Sequence, residues 1–151
     1  MTGNRRLYMV PVTLLPRQDL ADDPNGYKNE DAQRWMASVP QIERLKAAGW
    51  TSAEFDRLRT SSNPVERELG ATEYYLYRSD TSALKASYDG RQLEVEGGRH
   101  RVEAARQRGV ESVPVRVWAT PENHERIVRE FASRQRDQPG RQSGERERFR
   151  G

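Results

Sequence analysis

The sequence contains no cysteine, and this excludes disulfides, thiolate zinc sites and cysteine nucleophiles while leaving the redox compartment open. No apolar run approaches membrane-spanning length, and the N-terminus lacks the apolar core of a signal peptide. We therefore expect a cytoplasmic protein with no membrane partner. The two histidines, His100 and His124, lack the spacing of a helical zinc pair. Neither a G-x-x-x-x-G-K-[ST] loop nor a G-x-G-x-x-G loop occurs.

Apolar residues are also scarce. Only 34% of the 151 residues are hydrophobic, 32% are charged, and the mean hydropathy is −1.04. A chain of this length and composition predicts one domain with a modest core. We place that domain at residues 1–135. Residues 136–151 are polar and lack any periodicity, so we predict an arginine-rich tail that is disordered when free.

Positive charge is concentrated at the C-terminal end. Residues 126–151 hold eight arginines against four acidic residues, a net charge of +4, whereas the whole chain is +3. Such a tail could bind DNA, RNA or an acidic protein, and its affinity for a nucleic acid would depend strongly on salt. A purely solubilising tail is the alternative. The predicted contact residues are Arg136, Arg141, Arg146, Arg148 and Arg150.

The most informative stretch runs from Leu93 to Trp118, LEVEGGRHRVEAARQRGVESVPVRVW. Its first residues alternate between apolar and charged, which predicts a half-buried strand. Residues 99–108 then predict a short helix with a small apolar face, ended by Gly109. Alternating valines predict a second strand, in which Pro114 indicates an edge, a strand start or a bulge.

The junction between that strand and that helix, residues 96–101, predicts an anion site. A helix start leaves several backbone N–H groups unpaired, and their partial positive charge favours phosphate. Gly97 and Gly98 would allow a close approach of backbone to ligand. Arg99 and Arg101 supply guanidinium donors, and His100 can donate or carry a proton near neutral pH. The alternative is an ordinary glycine turn before a helix with solvated arginines.

The segment GGRHRVEAARQRGVESVPVRV resembles the ParB/sulfiredoxin superfamily, in which a G-x-[HR]-R loop opens a helix and a V-P-V strand follows. Gly98, Arg101 and the alanine pair match the ParB form, while His100 matches the sulfiredoxin form. The resemblance covers about 25 residues and implies that the loop binds nucleotide phosphates. Arg99 stands where sulfiredoxins have their reactive cysteine, so sulfiredoxin chemistry is not expected.

Outside this segment the patterns are weaker. We predict a first strand at 7–15 and a polar loop at 17–28. The loop's acids, Asp19 among them, are expected to be solvated. Four further predicted helices begin near residues 29, 38, 51 and 63, the last three at capping sequences. Tyr74, Tyr75 and Tyr77 could stack on a base, although packing with surface hydroxyls is favoured.

Asp89-Gly90 predicts a turn ahead of a central strand, and a last helix is predicted at 122–134. The start of that helix, Glu122-Asn-His-Glu-Arg126, resembles the E-N-x-x-R segment that ParB proteins use beside the nucleotide.

The catalytic carboxylate must come from outside the cationic junction. Glu96 is nearest in sequence, but it could simply pair with the arginines. Glu30, with Asp31 beside it, follows the loop after the first strand, where the resemblance places the acid of some kinase relatives. We favour Glu30 as the base or nucleophile-orienting group, with His100 and Glu96 as the other catalytic candidates.

These observations predict an α/β (α+β) fold, a small mixed sheet from about 7–15, 91–96 and 112–118 surrounded by helices and similar to ParB/sulfiredoxin domains. The predicted function is binding of ATP or CTP with Mg²⁺, coupled to hydrolysis or phosphoryl transfer. The relatives implied by the resemblance include small-molecule kinases and nucleases. The competing hypothesis is a non-catalytic nucleic-acid or protein-binding module that works through its tail.

Overall fold

A computed structural model describes residues 3–21 and 29–136. Along the chain the strands are β1 (Asn4–Pro11), β2 (Leu84–Tyr88), β3 (Leu93–Gly97) and β4 (Ser112–Ala119). The α-helices are α1 (Glu30–Ala37), α2 (Val39–Ala47), α3 (Ser52–Arg59), α4 (Pro64–Glu73), α5 (Arg99–Gln107) and α6 (Pro121–Arg136). A short 3₁₀ helix, Val12–Leu14, follows β1, and a π-helical turn, Tyr74–Arg78, continues α4.

The strands form one mixed sheet in the order β1-β4-β2-β3. β1 pairs antiparallel with β4, β2 pairs parallel with β4, and β2 pairs antiparallel with β3. The predicted class, a small mixed sheet with helices around it, is therefore confirmed. Leu84, Val113, Val115 and Val117 lie in a continuous buried core with apolar side chains from the surrounding helices.

Three strand predictions need correction. The first strand ends at Pro11 instead of residue 15, because the chain turns into the 3₁₀ helix there. β2 was not predicted, since its alternation LKASY offers only a small and weakly apolar buried face. The strand at 93–97 is an edge strand and not a central one, because β2 separates it from β4. Pro114 lies where β4 pairs only with β1, since pairing with β2 begins at Val115.

The helix starts follow the capping sequences with one exception. Thr51 and Glu54 form the predicted capping box, and the Asn63 side chain accepts bonds from the first turn of α4. Ser38 does not cap α2. Its backbone is helical, so α1 runs almost directly into α2, and its hydroxyl donates instead to the carbonyl of Arg34 at 3.3 Å.

Candidate functional site

The junction at which the sequence predicts an anion site is a strand-to-helix corner, residues 97–101. Gly98 lies between β3 and α5 with φ 91° and ψ 27°, in the left-handed region that favours glycine. Its carbonyl accepts the N–H of Val102 at 3.0 Å, the first bond of the helix. Among the described residues no side chain caps α5. The corner therefore has the electrostatic character of an uncapped helix N-terminus.

Arg101 is the residue most deeply set into the corner. Its Nη1 donates to the carbonyl of Ser82 at 2.6 Å, and a Cβ built on Gly98 would lie 3.1 Å from its Nη2. Burial lowers the pKa of the guanidinium, which nevertheless stays protonated at neutral pH. No carboxylate of the described residues pairs with it. With respect to the described residues, this mostly buried cation therefore has donors left for an anion.

Arg99 and His100 flank Arg101 in different ways. The Arg99 side chain is exposed and donates to the carbonyl of Asp19 at 3.3 Å, so it holds the loop after β1. His100 is half-buried and lines the cleft in front of the corner. Asp19 uses its own carboxylate to accept the N–H of Ala21 at 3.0 Å. The three basic residues of the motif thus differ in their roles. Arg99 attaches the loop, His100 forms part of the cleft wall, and Arg101 is the buried cation.

The cleft has a volume of about 450 Å³, a size typical of small-molecule sites. One wall is the corner, with Gly98, His100 and Arg101. A second wall comes from α1 and its N-cap. It is lined by Asn29, Asp31, Ala32 and Trp35, and Ser82 completes the lining. The cleft therefore combines a cationic end, a carboxylate and an indole ring.

The predicted acids occupy different positions relative to this cleft. Among the described residues the lining includes Asp31 and not its neighbour Glu30, which is exposed at the first position of α1. Asp31 also forms an exposed ion pair with Arg34 at 2.9 Å. Glu96 is exposed on β3 and pairs with Arg5 at 3.1 Å, instead of with the arginines of the corner. α1 thus brings a carboxylate to the corner, whereas Glu96 is directed to an ion pair on the sheet.

Trp35 and Ser82 are site residues that the sequence did not single out. Trp35 packs partly against the core. Its ring also stacks on Tyr75, with centroids 5.8 Å apart and planes 18° from parallel. Of the three tyrosines, Tyr77 is buried and donates to Glu43 at 2.7 Å, and burial raises its pKa. Ser82 accepts from Arg101 through its backbone carbonyl, a contact that no sequence pattern would identify.

An ion pair on α5 holds the chain that follows β1. Glu103 on α5 is 5% exposed, and it accepts the N–H of Gln18 at 2.8 Å and a bond from Arg106 at 3.2 Å. Arg106 also donates to the carbonyl of Leu15 at 3.1 Å. α5 therefore carries both the corner and the groups that hold the chain after β1.

The E-N-x-x-R segment lies elsewhere. Arg126 donates to the carbonyl of Gly90 at 3.0 Å, and the side chain of Asn123 also lies against Gly90. Gly90 belongs to the turn at the start of β3, and the corner is at the end of that strand. His124 of the same segment is buried between the Tyr8 hydroxyl, 2.7 Å from Nδ1, and the Asn4 carbonyl, 2.9 Å from Nε2. The segment is therefore a packing element and not part of this cleft.

The predicted tail contacts fall largely beyond the structure. Arg136 is the last residue of α6, and Arg141, Arg146, Arg148 and Arg150 lie outside the described residues.

Within residues 3–21 and 29–136 there is no group of three or more histidine or acidic side chains that could hold a metal ion by itself. Mg²⁺ in nucleotide sites needs less, because one or two carboxylates and the phosphates hold it together with water. Asp31 fits that requirement. No helix in the described part of the chain is long and apolar enough to cross a membrane.

Comparison with protein-family models, with curated proteins and with solved structures finds no match to this chain.

Proposed function

We propose that the cleft binds a nucleotide, ATP or CTP with Mg²⁺, with its phosphates at the Gly97–Arg101 corner. The observation that carries the proposal is Arg101, a mostly buried guanidinium over Gly98 whose partner among the described residues is a backbone carbonyl. Phosphate oxygens would accept hydrogen bonds from the guanidinium of Arg101 and from the backbone N–H groups of the first turn of α5. A neutral ligand would leave the buried charge uncompensated.

Phosphoryl transfer or hydrolysis would follow from the same geometry. Such reactions need placed positive charge, a metal ion and a group that orients the nucleophile, and little covalent chemistry. Arg101 and the helix start would stabilise the negative charge of the transferring group. Asp31 would help to hold Mg²⁺ on the phosphates, while Glu30 stays the proposed base. The ParB/sulfiredoxin resemblance of the GGRHR loop supports this choice of ligand.

The test compares an arginine in the first turn of α5 with the arginine that caps its C-terminal end. Arg101→Ala should weaken binding of ATP or CTP roughly tenfold or more, because charge-assisted bonds contribute about 1.5–3 kcal/mol. Arg108 is exposed at the far end of α5. Arg108→Ala removes the same charge away from the cleft, and it should change the affinity less than about twofold, since exposed charges are screened.

Isothermal titration with and without Mg²⁺ measures both variants, and thermal unfolding confirms that each is folded. Equal affinities for the wild type and Arg101→Ala would place the phosphates elsewhere. The absence of binding of either nucleotide to the wild type would refute the proposed function as a whole.

A further inference from the structure

Trp35 does more than pack against the core, because it also lines the cleft. It is half-buried, it lies on α1, and it lines the cleft that holds the phosphate corner. Asp31, Ala32 and Trp35 line the same cleft at helical spacing, so one side of α1 forms this part of the lining. The cleft therefore combines a large aromatic group from α1 with a cation from α5.

The indole ring of Trp35 also contacts a series of other side chains. Trp35 stacks on Tyr75, Tyr75 meets Tyr74 edge to face with centroids 5.2 Å apart, and the Arg59 guanidinium lies 4.2 Å from the centroid of Tyr74. An aromatic surface that is ordered before the ligand arrives loses little conformational entropy on binding. The series of ring contacts runs from the helix α3 to the cleft wall and so fixes the orientation of Trp35.

We propose that Trp35 stacks on the nucleobase of the ligand, so that the site selects nucleoside phosphates over phosphate compounds that lack an aromatic ring. This inference rests on the proposed function, because it assigns the second half of the same ligand. The match is one of chemistry: a nucleotide is aromatic at one end and anionic at the other, as the cleft is aromatic at α1 and cationic at α5. Stacking is tolerant of base identity, so ATP and CTP should both benefit.

The experiment separates the base from the phosphates. Tripolyphosphate, which has no base, is compared with ATP and CTP by isothermal titration against the wild type, Trp35→Phe and Trp35→Leu. Losing the ring should weaken nucleotide binding about fivefold to a hundredfold, while Trp35→Phe should lose less. Tripolyphosphate affinity should stay the same in all three proteins. Trp118→Leu is the control, because Trp118 is 41% exposed on β4 and outside the cleft lining.

Three outcomes would overturn the inference and leave the proposed function intact. The first is that tripolyphosphate and the nucleotides bind the wild type equally tightly, and the second is that Trp35→Leu leaves nucleotide affinity unchanged. The third is an equal loss of affinity for tripolyphosphate and nucleotide in Trp35→Leu, because it indicates a structural role. If none of the three ligands binds the wild type, the proposed function itself falls.

A second measurement avoids changing Trp35. In Trp50→Phe/Trp118→Phe the only remaining tryptophan is Trp35. Saturating ATP or CTP should quench its fluorescence, since a stacked base is in direct contact with the indole, and tripolyphosphate should not. Saturation by nucleotide, shown by titration, without a change in this emission would refute the stacking.

Discussion

Gly98→Ala offers the sharpest test of how tightly the corner is built. A Cβ at this position would clash with Cδ2 of Leu84, which is 1% exposed in the core, and would lie 3.1 Å from Nη2 of Arg101. The left-handed backbone adds about 1–2 kcal/mol for a residue with a Cβ. Overpacking of a core adds about 1–3 kcal/mol. We expect the free energy of unfolding to fall by about 2–5 kcal/mol, measured by urea denaturation.

The chain supplies two controls for the backbone contribution. Gly49 (φ 103°) and Gly109 (φ 70°) bracket Gly98 in φ, and a Cβ on either would meet nothing within 4 Å. Gly49→Ala and Gly109→Ala should therefore lose only about 1–2 kcal/mol each. If Gly98→Ala lowers the free energy of unfolding no more than these two control variants do, a Cβ at this position is not crowded by Leu84 and Arg101.

A double-mutant cycle identifies the crowding partner. Leu84→Val removes the Cδ atoms and should alone cost about 1 kcal/mol, as small truncations of aliphatic core residues do. The double variant Gly98→Ala/Leu84→Val should be more stable, by about 1 kcal/mol or more of unfolding free energy, than the sum of the two single effects predicts. Strict additivity would mean that Leu84 moves aside without cost.

Three further predictions concern the other elements. Glu73 is fully buried and pairs with Arg78 at 2.7 Å and with Lys46 at 3.3 Å. Glu73→Gln should therefore lower the free energy of unfolding, measured by urea denaturation, by about 3 kcal/mol. Asp56 pairs with Arg78 at the surface, so Asp56→Asn should lower the same free energy by less than about 1 kcal/mol. Glu30→Gln should abolish turnover and leave nucleotide affinity within about threefold, since only transition-state interactions are lost. If this variant keeps full activity in a coupled phosphate-release assay, the base is instead Asp31, tested as Asp31→Asn, or Glu96. Deletion of residues 136–151 should leave nucleotide affinity unchanged by titration, because the corner lies wholly within residues 97–101, and a loss of affinity would instead support the tail as the binding element.

The corner could be predicted from the sequence because its determinants are local. Gly97-Gly98 between an alternating strand and a helical segment specifies a strand end, a left-handed residue and a helix start within five positions. The structure has this order, with α5 beginning at Arg99. The capping box at Thr51 was predictable for the same reason, since both partners lie within one helical turn.

The wall that α1 forms could not be predicted, because it depends on contacts between distant segments. Whether Trp35 would face the core or a cleft is decided by Tyr75, forty positions later, and by the packing of α1 on α5. The difference between Glu30 and Asp31 is similar. Adjacent residues on a helix point about a third of a turn apart, so only the docking angle of α1 determines which carboxylate lines the cleft.

The docking of α1 depends on interactions of two different strengths. Two of its apolar side chains, Ala32 and Met36, are buried in the core. Along its length, a bond from Gln33 to Gln107 at 2.9 Å joins it to α5, and that bond is exposed. Exposed bonds contribute little net stability because water replaces them readily. The position of the cleft's aromatic wall is therefore determined mainly by the burial of Ala32 and Met36 in the core and by the stacking of Trp35 on Tyr75.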